Sequence, residues 1–372
     1  MKTIERNEIS RKSIVFTGGG SAGHIMINLV LIKKFREEGW NIHYIGSKHG
    51  MEKELVSAYE DVHYYGISSG KLRRYWDWNN VKDPFKVLKG IVQSYFLIRK
   101  IKANVVFAAG GFVSVPVVIG GWLNRVPVLI REPDRTFGLA NRISLPFATK
   151  VCTSYEETGN ELPLYKVVHI GGVVREELKE GSLLRGMHET GFTRDKPVLL
   201  MMGGSQGARI LNEVLATCID DLLTDFQVVH LCGKGKAEQF SGVERTGYKV
   251  MEYAGDELPD LLAMADVVVS RAGSTSLFEL LSMRKPMLLV PLSNGSRGEQ
   301  RVNSEAFQQA GYAEVLPEED LNGQTLTEAI RALYRDRESY INQMKTVNHD
   351  HAADKLVTLI KQTAKTTIPE GL

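Results

Sequence analysis

Short runs of consecutive apolar residues alternate along the chain with longer segments in which apolar residues recur every three or four positions. The first run, Ser13–Thr17 (SIVFT), leads through GGGSAGH into a segment whose periodicity predicts a helix to about Glu38. Gly39 ends that helix. Further strands of the first half are predicted at 41–45, 105–108, 126–130, 150–153 and 166–170. This alternation predicts a parallel sheet covered by helices.

The second half repeats the scheme. A strand at 197–202 (PVLLMM) leads through GGSQGA into a helix from about Arg209, and later strands are predicted at 227–232, 249–252, 267–270 and 287–290. GGSAG at 19–23 matches GGSQG at 203–207, and ANVVFAAGG at 103–111 matches ADVVVSRAG at 265–273. Because both echoes occur in the same order, the pattern predicts a duplicated, doubly wound α/β domain. The boundary is expected near Gly171 and Gly172, and a final helix at 354–363 is expected to pack back on the first domain.

Composition adds limits to this picture. The 372 residues are enough for two domains, and 43% of them are hydrophobic. A net charge of +2 gives no global argument for nucleic acid as a partner. Three scattered cysteines and a polar stretch at 1–10, without the apolar core of a signal peptide, fit the cytoplasm. Apolar runs are too short to cross a bilayer, so any membrane contact is expected at the surface.

The first glycine-rich turn has the spacing of a dinucleotide fingerprint. Gly18, Gly20 and Gly23 satisfy G-x-G-x-x-G, but the next strand ends Ile45-Gly46-Ser47 without the carboxylate that an NAD ribose requires. The turn could equally serve close packing of helix on sheet. His24 follows at the helix start, where a neutral imidazole is a candidate general base and a structural, helix-capping histidine is the alternative.

The second turn and the segment SRAGSTSLFE at 270–279 suit a nucleotide diphosphate. Main-chain N–H groups at a helix N-terminus bind anions, and Ser205 and the hydroxyls of 274–276 can add donors. The sequence places no acidic metal cluster nearby, so the helix dipole and arginine could neutralise the diphosphate. Glu279, one turn into its helix, could accept from both ribose hydroxyls; stabilisation of the helix N-terminus is the alternative.

Two further segments are open to two interpretations. Gln300 and Asn303 share a helix face and could bind sugar hydroxyls, or they could lie on a solvated helix. The stretch 71–102 combines basic residues with aromatic ones, which suits an anionic lipid interface or an ordinary amphipathic helix with its aromatic side chains in the core. Its aromatic members are Tyr75, Trp76, Trp78, Phe85, Tyr95 and Phe96.

Taken in order, the GGGSAGH turn, the GGSQGA turn and the S-R-A-G segment with Glu279 and the later Gln/Asn pair closely resemble the MurG family, from about Ser13 to Ile360. The resemblance implies the α/β GT-B fold, in which two Rossmann-like doubly wound parallel-sheet domains face a cleft. Residues 11–172 would form the acceptor and membrane side, and residues 173–353 would bind the UDP-sugar donor. The helix from about 354 to 372 would return to the first domain.

The resemblance also implies an activity. The family transfers GlcNAc from UDP-GlcNAc, with inversion, to the C4 hydroxyl of a polyprenyl-diphosphate-linked muramyl pentapeptide, which is a step of peptidoglycan synthesis. It needs neither a cofactor nor a catalytic metal, and it acts at the anionic inner surface of the bacterial cell membrane. Two residues are implied as catalytic, His24 with Glu132 as second choice. The donor-binding residues would be Arg175, Ser205, Gln206, Tyr253, Ala254, Ser274, Thr275, Ser276, Glu279, Gln300 and Asn303, and the acceptor-side residues Gly19, Gly20, Ser21, Ala22, Gly23 and Asp134.

Departures from the family pattern concentrate on the acceptor side. Ile25-Met26-Ile27 stands where the family usually has Ile-Tyr-Pro, and Arg131-Glu132-Pro133-Asp134 where it has His-Glu-Gln-Asn. Glu299 replaces a Gln or His before Gln300. A lipid glycosyltransferase with another acceptor, a UDP-GlcNAc 2-epimerase and a non-catalytic UDP-sugar sensor are the alternative functions.

Overall fold

The computed structural model describes residues 11–70, 79–160, 162–204, 207–240, 245–293, 298–347 and 351–365. The chain divides into two compact units. The first runs to Val173 and takes up the chain again from His351, and the second comprises Val174–Asp350. Each unit is built on its own parallel sheet.

In the described part of the first unit, the strands pair in the order β3-β2-β1-β4-β5-β6-β7. They are β1 (Ser13–Thr17), β2 (Asn41–Ser47), β3 (Val62–Ile67), β4 (Val105–Ala108), β5 (Val128–Glu132), β6 (Lys150–Thr153) and β7 (Val167–His169). The helices are α1 (Ala22–Glu37), α2 (Met51–Ser57), α3 (Asn79–Ile101), α4 (Ser114–Leu123), α5 (Leu139–Ser144) and, from the end of the chain, α13 (Ala352–Thr363).

In the described part of the second unit, the order is β10-β9-β8-β11-β12-β13. These strands are β8 (Val198–Met202), β9 (Gln227–Leu231), β10 (Tyr248–Met251), β11 (Val267–Ser270), β12 (Met287–Leu289) and β13 (Ala313–Val315). The helices are α6 (Leu183–Thr190), α7 (Arg209–Asp225), α8 (Leu258–Met264), α9 (Ser274–Ser282), α10 (Glu299–Gln309), α11 (Gly323–Arg335) and α12 (Arg337–Met344).

Both sheets reverse their winding direction at one place. The chain winds outward from β1 to β3 and then returns to add β4 on the other side of β1, and it does the same between β8 and β11. Ligands of open α/β sheets bind outside the carboxyl ends of the strands at such switch points. The two glycine-rich turns and the 270–279 segment begin at these carboxyl ends.

The last described helix belongs to the core of the first unit. Leu356 and Ile360 are fully buried in the same apolar cluster as Ile14 and Phe16. Lys34 in α1 also forms an ion pair with Asp354 at 3.0 Å. The core of the first sheet is therefore completed by a segment far away in the sequence.

The sequence pattern missed some elements and displaced others. Strands β3 and β13 were not predicted, and β5 begins two residues later than its apolar run. The Val126 N–H donates to the Gly121 carbonyl at the end of α4, so this residue closes the preceding helix and does not start the ladder. The shift matters because it places Arg131 and Glu132 at the carboxyl end of β5. No helix in the described ranges is long and apolar enough to span a bilayer.

Candidate functional site

His24 lies in the first turn of α1, at the switch point of the first sheet. The turn before it contacts the turn after β4, where the Gly19 N–H donates to the Gly110 carbonyl at 3.4 Å. A Cβ on Gly110 would lie 2.9 Å from His24 Cε1, so the imidazole packs directly on the main chain there. Only glycine leaves room for this close approach. The half-buried ring of His24 is therefore fixed between two turns at the edge of the sheet.

Five of the predicted acceptor-side residues lie between β1 and the first turn of α1, where Gly19, Gly20 and Ser21 precede the helix and Ala22 and Gly23 begin it. Gly20 and Ser21 are exposed, and Ala22 and Gly23 are half-buried. The first turn of α1 carries no acidic side chain. A helix N-terminus favours an anion, so this end of α1 suits a negatively charged ligand.

Glu132 organises the loop after β5. Its side chain is buried, and it accepts hydrogen bonds from the Gly138 N–H at 2.7 Å, from Asn141 Nδ2 at 2.9 Å and from the Asp134 N–H at 3.3 Å. These three donors tie both carboxylate oxygens to the loop that follows β5. The structure thus gives Glu132 a role in shaping the loop that carries Asp134, which is itself half-buried.

Arg131 departs from the family pattern, and the sequence predicted no role for it. The residue is 3% exposed, and its Nη2 donates to Ser154 Oγ at 3.2 Å. Burial lowers the pKa of Arg131, although Asp134 and Glu132 act in the opposite direction. This buried cation lies at the carboxyl end of β5, where Arg131 pairs with Cys152 of β6 in the parallel ladder.

The second glycine-rich turn joins β8 to α7, and its predicted donor residues Ser205 and Gln206 lie outside the described residues. Gly207 has φ +68°, and a Cβ there would lie 2.0 Å from the Cys232 carbonyl oxygen. The main chain of the turn therefore presses against the main chain after β9. The first turn of α7 has no acidic side chain, so its N-terminus also suits an anion.

The clearest constellation of the second unit lies on α9. Gly273 caps the helix, Ser274 is buried in its first turn, and Thr275 and Ser276 are half-buried beside it. One turn on, the buried Glu279 accepts two hydrogen bonds from Arg175, Nε to Oε1 at 2.7 Å and Nη2 to Oε2 at 3.1 Å. A guanidinium that grips a carboxylate with two parallel bonds fixes its orientation.

Arg175 was predicted among the donor-binding residues, and in the structure its guanidinium is engaged by Glu279. Burial alone would lower the pKa of Arg175, but the hydrogen bonds and charge of Glu279 outweigh burial and raise it. Tyr253 is 58% exposed and precedes the buried Ala254 in the loop after β10. The structure thus brings together two of the predicted donor residues, Arg175 and Glu279.

Gln300 and Asn303 lie at the start of α10. Gln300 Oε1 accepts from the Leu292 N–H at 3.0 Å, which ties α10 to the loop after β12. Asn303 is fully buried. Neither residue is on a solvated face, which was the alternative interpretation for this pair.

Arg271 supports the same loop and had no predicted role of its own. Its Nη1 donates to the Val290 carbonyl at 3.0 Å and to the Pro291 carbonyl at 3.4 Å, and it pairs with Glu318. Its position in the S-R-A-G segment was the sequence feature that could have pointed to Arg271. Among the described residues, no group of three or more His, Cys, Asp or Glu side chains is arranged to hold a metal ion.

Comparisons with known proteins bear on both units. The glycosyltransferase family 28 N-terminal domain matches residues 14–153, and the family 28 C-terminal domain matches residues 198–360. A Bacillus cereus protein named UDP-N-acetylglucosamine–N-acetylmuramyl-(pentapeptide) pyrophosphoryl-undecaprenol N-acetylglucosamine transferase 3 is 53% identical over 357 residues, which is 95% of this chain and 99% of the relative. A Geobacillus thermodenitrificans protein named as the same transferase is 51% identical over 356 residues, 95% of this chain and 100% of the relative.

The fold is shared with a solved structure. The crystal structure of Acinetobacter baumannii MurG superposes with a TM-score of 0.74 at 22% identity, and the match covers 94% of this chain and 99% of that one. The predicted α/β class with two parallel-sheet GT-B domains is confirmed. The chain therefore belongs to glycosyltransferase family 28 and, within it, to the MurG family.

Proposed function

We propose that this chain is an inverting glycosyltransferase that moves GlcNAc from UDP-GlcNAc to the C4 hydroxyl of undecaprenyl-diphosphate-linked MurNAc-pentapeptide, giving lipid II for peptidoglycan synthesis. The names of relatives that are 53% and 51% identical over nearly the whole chain support this acceptor and donor. The observation that carries the proposal is the buried Glu279 carboxylate, which Arg175 holds one turn after the N-terminus of α9.

That geometry suits a nucleoside diphosphate. A carboxylate held in one orientation can accept from two vicinal ribose hydroxyls, while the N-termini of α9 and α7 attract the diphosphate. The exposed ring of Tyr253 and the main chain of Ala254 would border the uracil. Gln300 and Asn303 would bind the GlcNAc, and the predicted contacts of Ser205 and Gln206 with the diphosphate complete this half of the site.

The reaction is a single in-line displacement. The acceptor hydroxyl oxygen forms a bond to the anomeric carbon as the bond from that carbon to the diphosphate oxygen breaks, and UDP leaves with the electron pair. His24 takes the proton of the attacking hydroxyl. The helix N-termini and the hydroxyls of Ser274, Thr275 and Ser276 stabilise the negative charge that develops on the diphosphate. The bond geometry of Glu132 favours His24 as the base, because the Glu132 carboxylate already accepts three hydrogen bonds.

The proposed acceptor is a membrane lipid, and one face of α3 suits contact with a membrane surface. Phe85, Leu88, Val92 and Phe96 are 72%, 61%, 51% and 63% exposed, and their spacing of three and four residues places them in one stripe. Exposed basic side chains flank this stripe, namely Lys86, Lys89, Arg99 and Lys100. An apolar stripe with basic neighbours favours an anionic lipid surface, here the inner face of the cell membrane. Tyr75, Trp76 and Trp78 lie outside the described residues.

Transfer of radiolabelled GlcNAc from UDP-GlcNAc to synthetic lipid I tests the proposal. We expect a labelled lipid product that depends on the muramyl acceptor, with UDP-glucose and UDP-galactose as donor controls. Label on a different polyprenyl lipid only would indicate another acceptor. Release of a free epimerised sugar would indicate a 2-epimerase, and tight UDP-GlcNAc binding without turnover on any acceptor would indicate a sensor. Each of these three results would overturn the proposal.

A further inference from the structure

The internal repeat extends beyond the glycine-rich turns themselves. Residues 19–28 read GGSAGHIMIN and residues 203–212 read GGSQGARILN, so each turn is followed at the same distance by an asparagine. Asn28 lies in α1 and Asn212 in α7, and they are 0% and 4% exposed. The amide group of a buried asparagine inside a helix requires partners, and the Nδ2 groups of both residues donate to main-chain carbonyls at the ends of strands.

Asn28 binds the main chain that enters the first turn. Its Nδ2 donates to the Thr17 carbonyl and to Tyr44 Oη, both at 3.1 Å. Tyr44 of β2 in turn donates from its hydroxyl to the Gly18 carbonyl at 2.7 Å. Two successive carbonyls between β1 and α1 are thereby held by one asparagine–tyrosine pair, which we call the first clamp.

Asn212 binds the main chain that supports the second turn. Its Nδ2 donates to the Cys232 carbonyl at 2.8 Å, and Gly207 packs on this same carbonyl. Its Oδ1 lies 2.9 Å from His230 Nε2, and His230 Nδ1 lies 2.9 Å from Tyr248 Oη. The acceptor role of Oδ1 requires a proton on Nε2, so Nδ1 accepts from Tyr248. Asn212, His230 and Tyr248 form the second clamp.

We propose that Asn28 and Asn212 are equivalent positioning residues, which hold the acceptor-side turn with His24 and the donor-side turn with its phosphate-binding N–H groups, respectively. The two turns have unrelated tasks in the proposed reaction, yet each is fixed by an asparagine at the same place and an aromatic residue from the neighbouring strand. The tasks assigned to the two turns rest on the proposed function, whereas the two clamps are defined by their hydrogen bonds alone.

The first clamp acts on His24 through the helix. Asn28 follows His24 by four residues in α1, so the two side chains share a face, one turn apart. Loss of the bonds to Thr17 and Gly18 would free the turn to shift relative to the imidazole. Because small displacements of reacting groups are costly, a shift of about 1 Å can reduce a rate about 10²-fold.

The protonation states agree with these bond directions. Burial raises the pKa of Tyr44 far above its ordinary value, so its hydroxyl keeps the proton that it donates to Gly18. Burial lowers the pKa of His230 to about 4 and raises the pKa of Tyr248 to about 12. The histidine is therefore neutral near pH 7, as the series of hydrogen bonds from Tyr248 through His230 and Asn212 to Cys232 requires.

The test measures kcat, KM and UDP affinity in two variants at a temperature where both remain folded. For Asn28→Ala we expect kcat to fall about 10- to 100-fold, the pH–rate profile to shift because the environment of His24 changes, and the dissociation constant of UDP to stay within about twofold. For Asn212→Ala we expect that dissociation constant to rise about tenfold or more, which corresponds to the loss of well-placed phosphate contacts, with an unchanged pH–rate profile. Asn124→Ala is the control, because Asn124 also binds main-chain carbonyls, those of Tyr95 and Gly120.

Milder variants keep the test open if an alanine variant does not fold. Tyr44→Phe and Tyr248→Phe each remove one hydroxyl, and we expect the same selective effects with smaller size. Asn28→Ala with Tyr44→Phe should cost less than the sum of the two single effects, because the two side chains share a hydrogen bond. Loss of melting temperature without these selective changes, or equal effects of both asparagines on kcat and UDP affinity, would overturn the positioning roles.

Hydrogen exchange separates failure of the clamps from failure of the proposed function. Asn28→Ala should speed exchange of amides at 18–20 only, and Asn212→Ala should speed exchange at 203, 204, 207 and 208 only, among the described residues. If the wild type transfers no GlcNAc while these local effects and the UDP effect appear, the proposed function fails and the clamps stand. If the wild type is active and neither turn responds, the clamps fail alone.

Discussion

At the scale of single residues, two side chains of the first unit were candidates for the general base. His24 is half-buried against Gly110, whereas Glu132 is buried and accepts three hydrogen bonds from its own loop. Imidazole has a pKa suited to proton transfer near neutral pH. The structure thus engages Glu132 in holding its own loop together, and His24 stays the predicted base.

We expect His24→Ala to lower kcat on lipid I about 10²- to 10⁴-fold, as is typical for loss of a general base, with little change in UDP affinity. Steady-state kinetics at saturating substrate concentrations provide the measurement. His169→Ala is the control, since His169 is an exposed residue of β7 in the same unit. Near-normal turnover of the His24 variant would exclude this residue as the base.

A second prediction concerns the ribose. Glu279→Gln should weaken UDP binding about 10- to 100-fold, because hydrogen bonds to a charged group contribute about 1.5–3 kcal/mol and because Arg175 loses its partner. Calorimetry with UDP and 2′-deoxy-UDP makes the test specific. The wild type should prefer UDP, and the variant should lose that preference. The exposed Glu176 supplies the control variant Glu176→Gln, and an undiminished preference for UDP in Glu279→Gln would remove the ribose role.

At the scale of elements, α3 was the segment whose sequence fitted two interpretations. Phe85 and Phe96 are exposed in the structure, while Tyr95 is half-buried. Aromatic and basic composition alone cannot assign side chains to a helix face, because the face depends on which side packs against the sheet. The contact of α3 with its unit leaves the apolar stripe on the outside, and this orientation is what favours a membrane surface.

We expect the double substitution Phe85→Ser and Phe96→Ser to reduce binding to vesicles of anionic phospholipid about tenfold or more. Binding of the wild type removes both rings from water, and the serine side chains lose this contribution. Co-sedimentation at low and high salt measures the apolar and electrostatic parts separately. Leu184→Ser is a matched control, since Leu184 is as exposed as Phe85, at 72%, but lies in the second unit. Equal binding of the double variant and the wild type at low salt would argue against the α3 surface.

At the scale of the whole molecule, two buried or half-buried histidines link stability to pH. Burial lowers the pKa of His230 to about 4, and burial together with His63 lowers the pKa of His43 to about 4. An unfolded histidine titrates near 6.5, so the unfolded chain binds more protons between about pH 6.5 and 4. Stability from these residues is therefore complete above about pH 6.5 and is lost as the pH falls towards 4.

We expect denaturant unfolding, followed by circular dichroism, to show a fall in stability between pH 7 and pH 5 that is smaller in His230→Gln. Between about pH 6.5 and pH 4, His230 changes the free energy of unfolding by on the order of 3 kcal/mol, because one pKa unit corresponds to about 1.4 kcal/mol. His188→Gln, an exposed substitution in the same unit, is the control. Parallel pH profiles of the wild type and His230→Gln would show that this histidine does not couple folding to protonation.

The sequence by itself determined the duplicated architecture and the chemistry of its turns. Apolar runs, helical periodicity and glycine-rich turns are local signals, so β1, β8, α1 and α7 and the start of α9 could be predicted from their own residues. The repeated order of these signals was sufficient to predict two doubly wound sheets. The MurG family, too, follows from motifs that are continuous in the chain.

Only the tertiary structure decided which side chains meet. Arg175 and Glu279 are 104 positions apart, and Asn28 reaches Tyr44 through the register of β1 and β2. The short edge strand β13 and the exposed face of α3 likewise depend on neighbours and not on local pattern. Pairing, register and burial are properties of packed elements, because a side chain becomes a partner only when the sheet order brings its strand or helix alongside. The two glycine-rich turns could therefore be predicted from the sequence, whereas the asparagine clamps that hold them could be identified only from the fold.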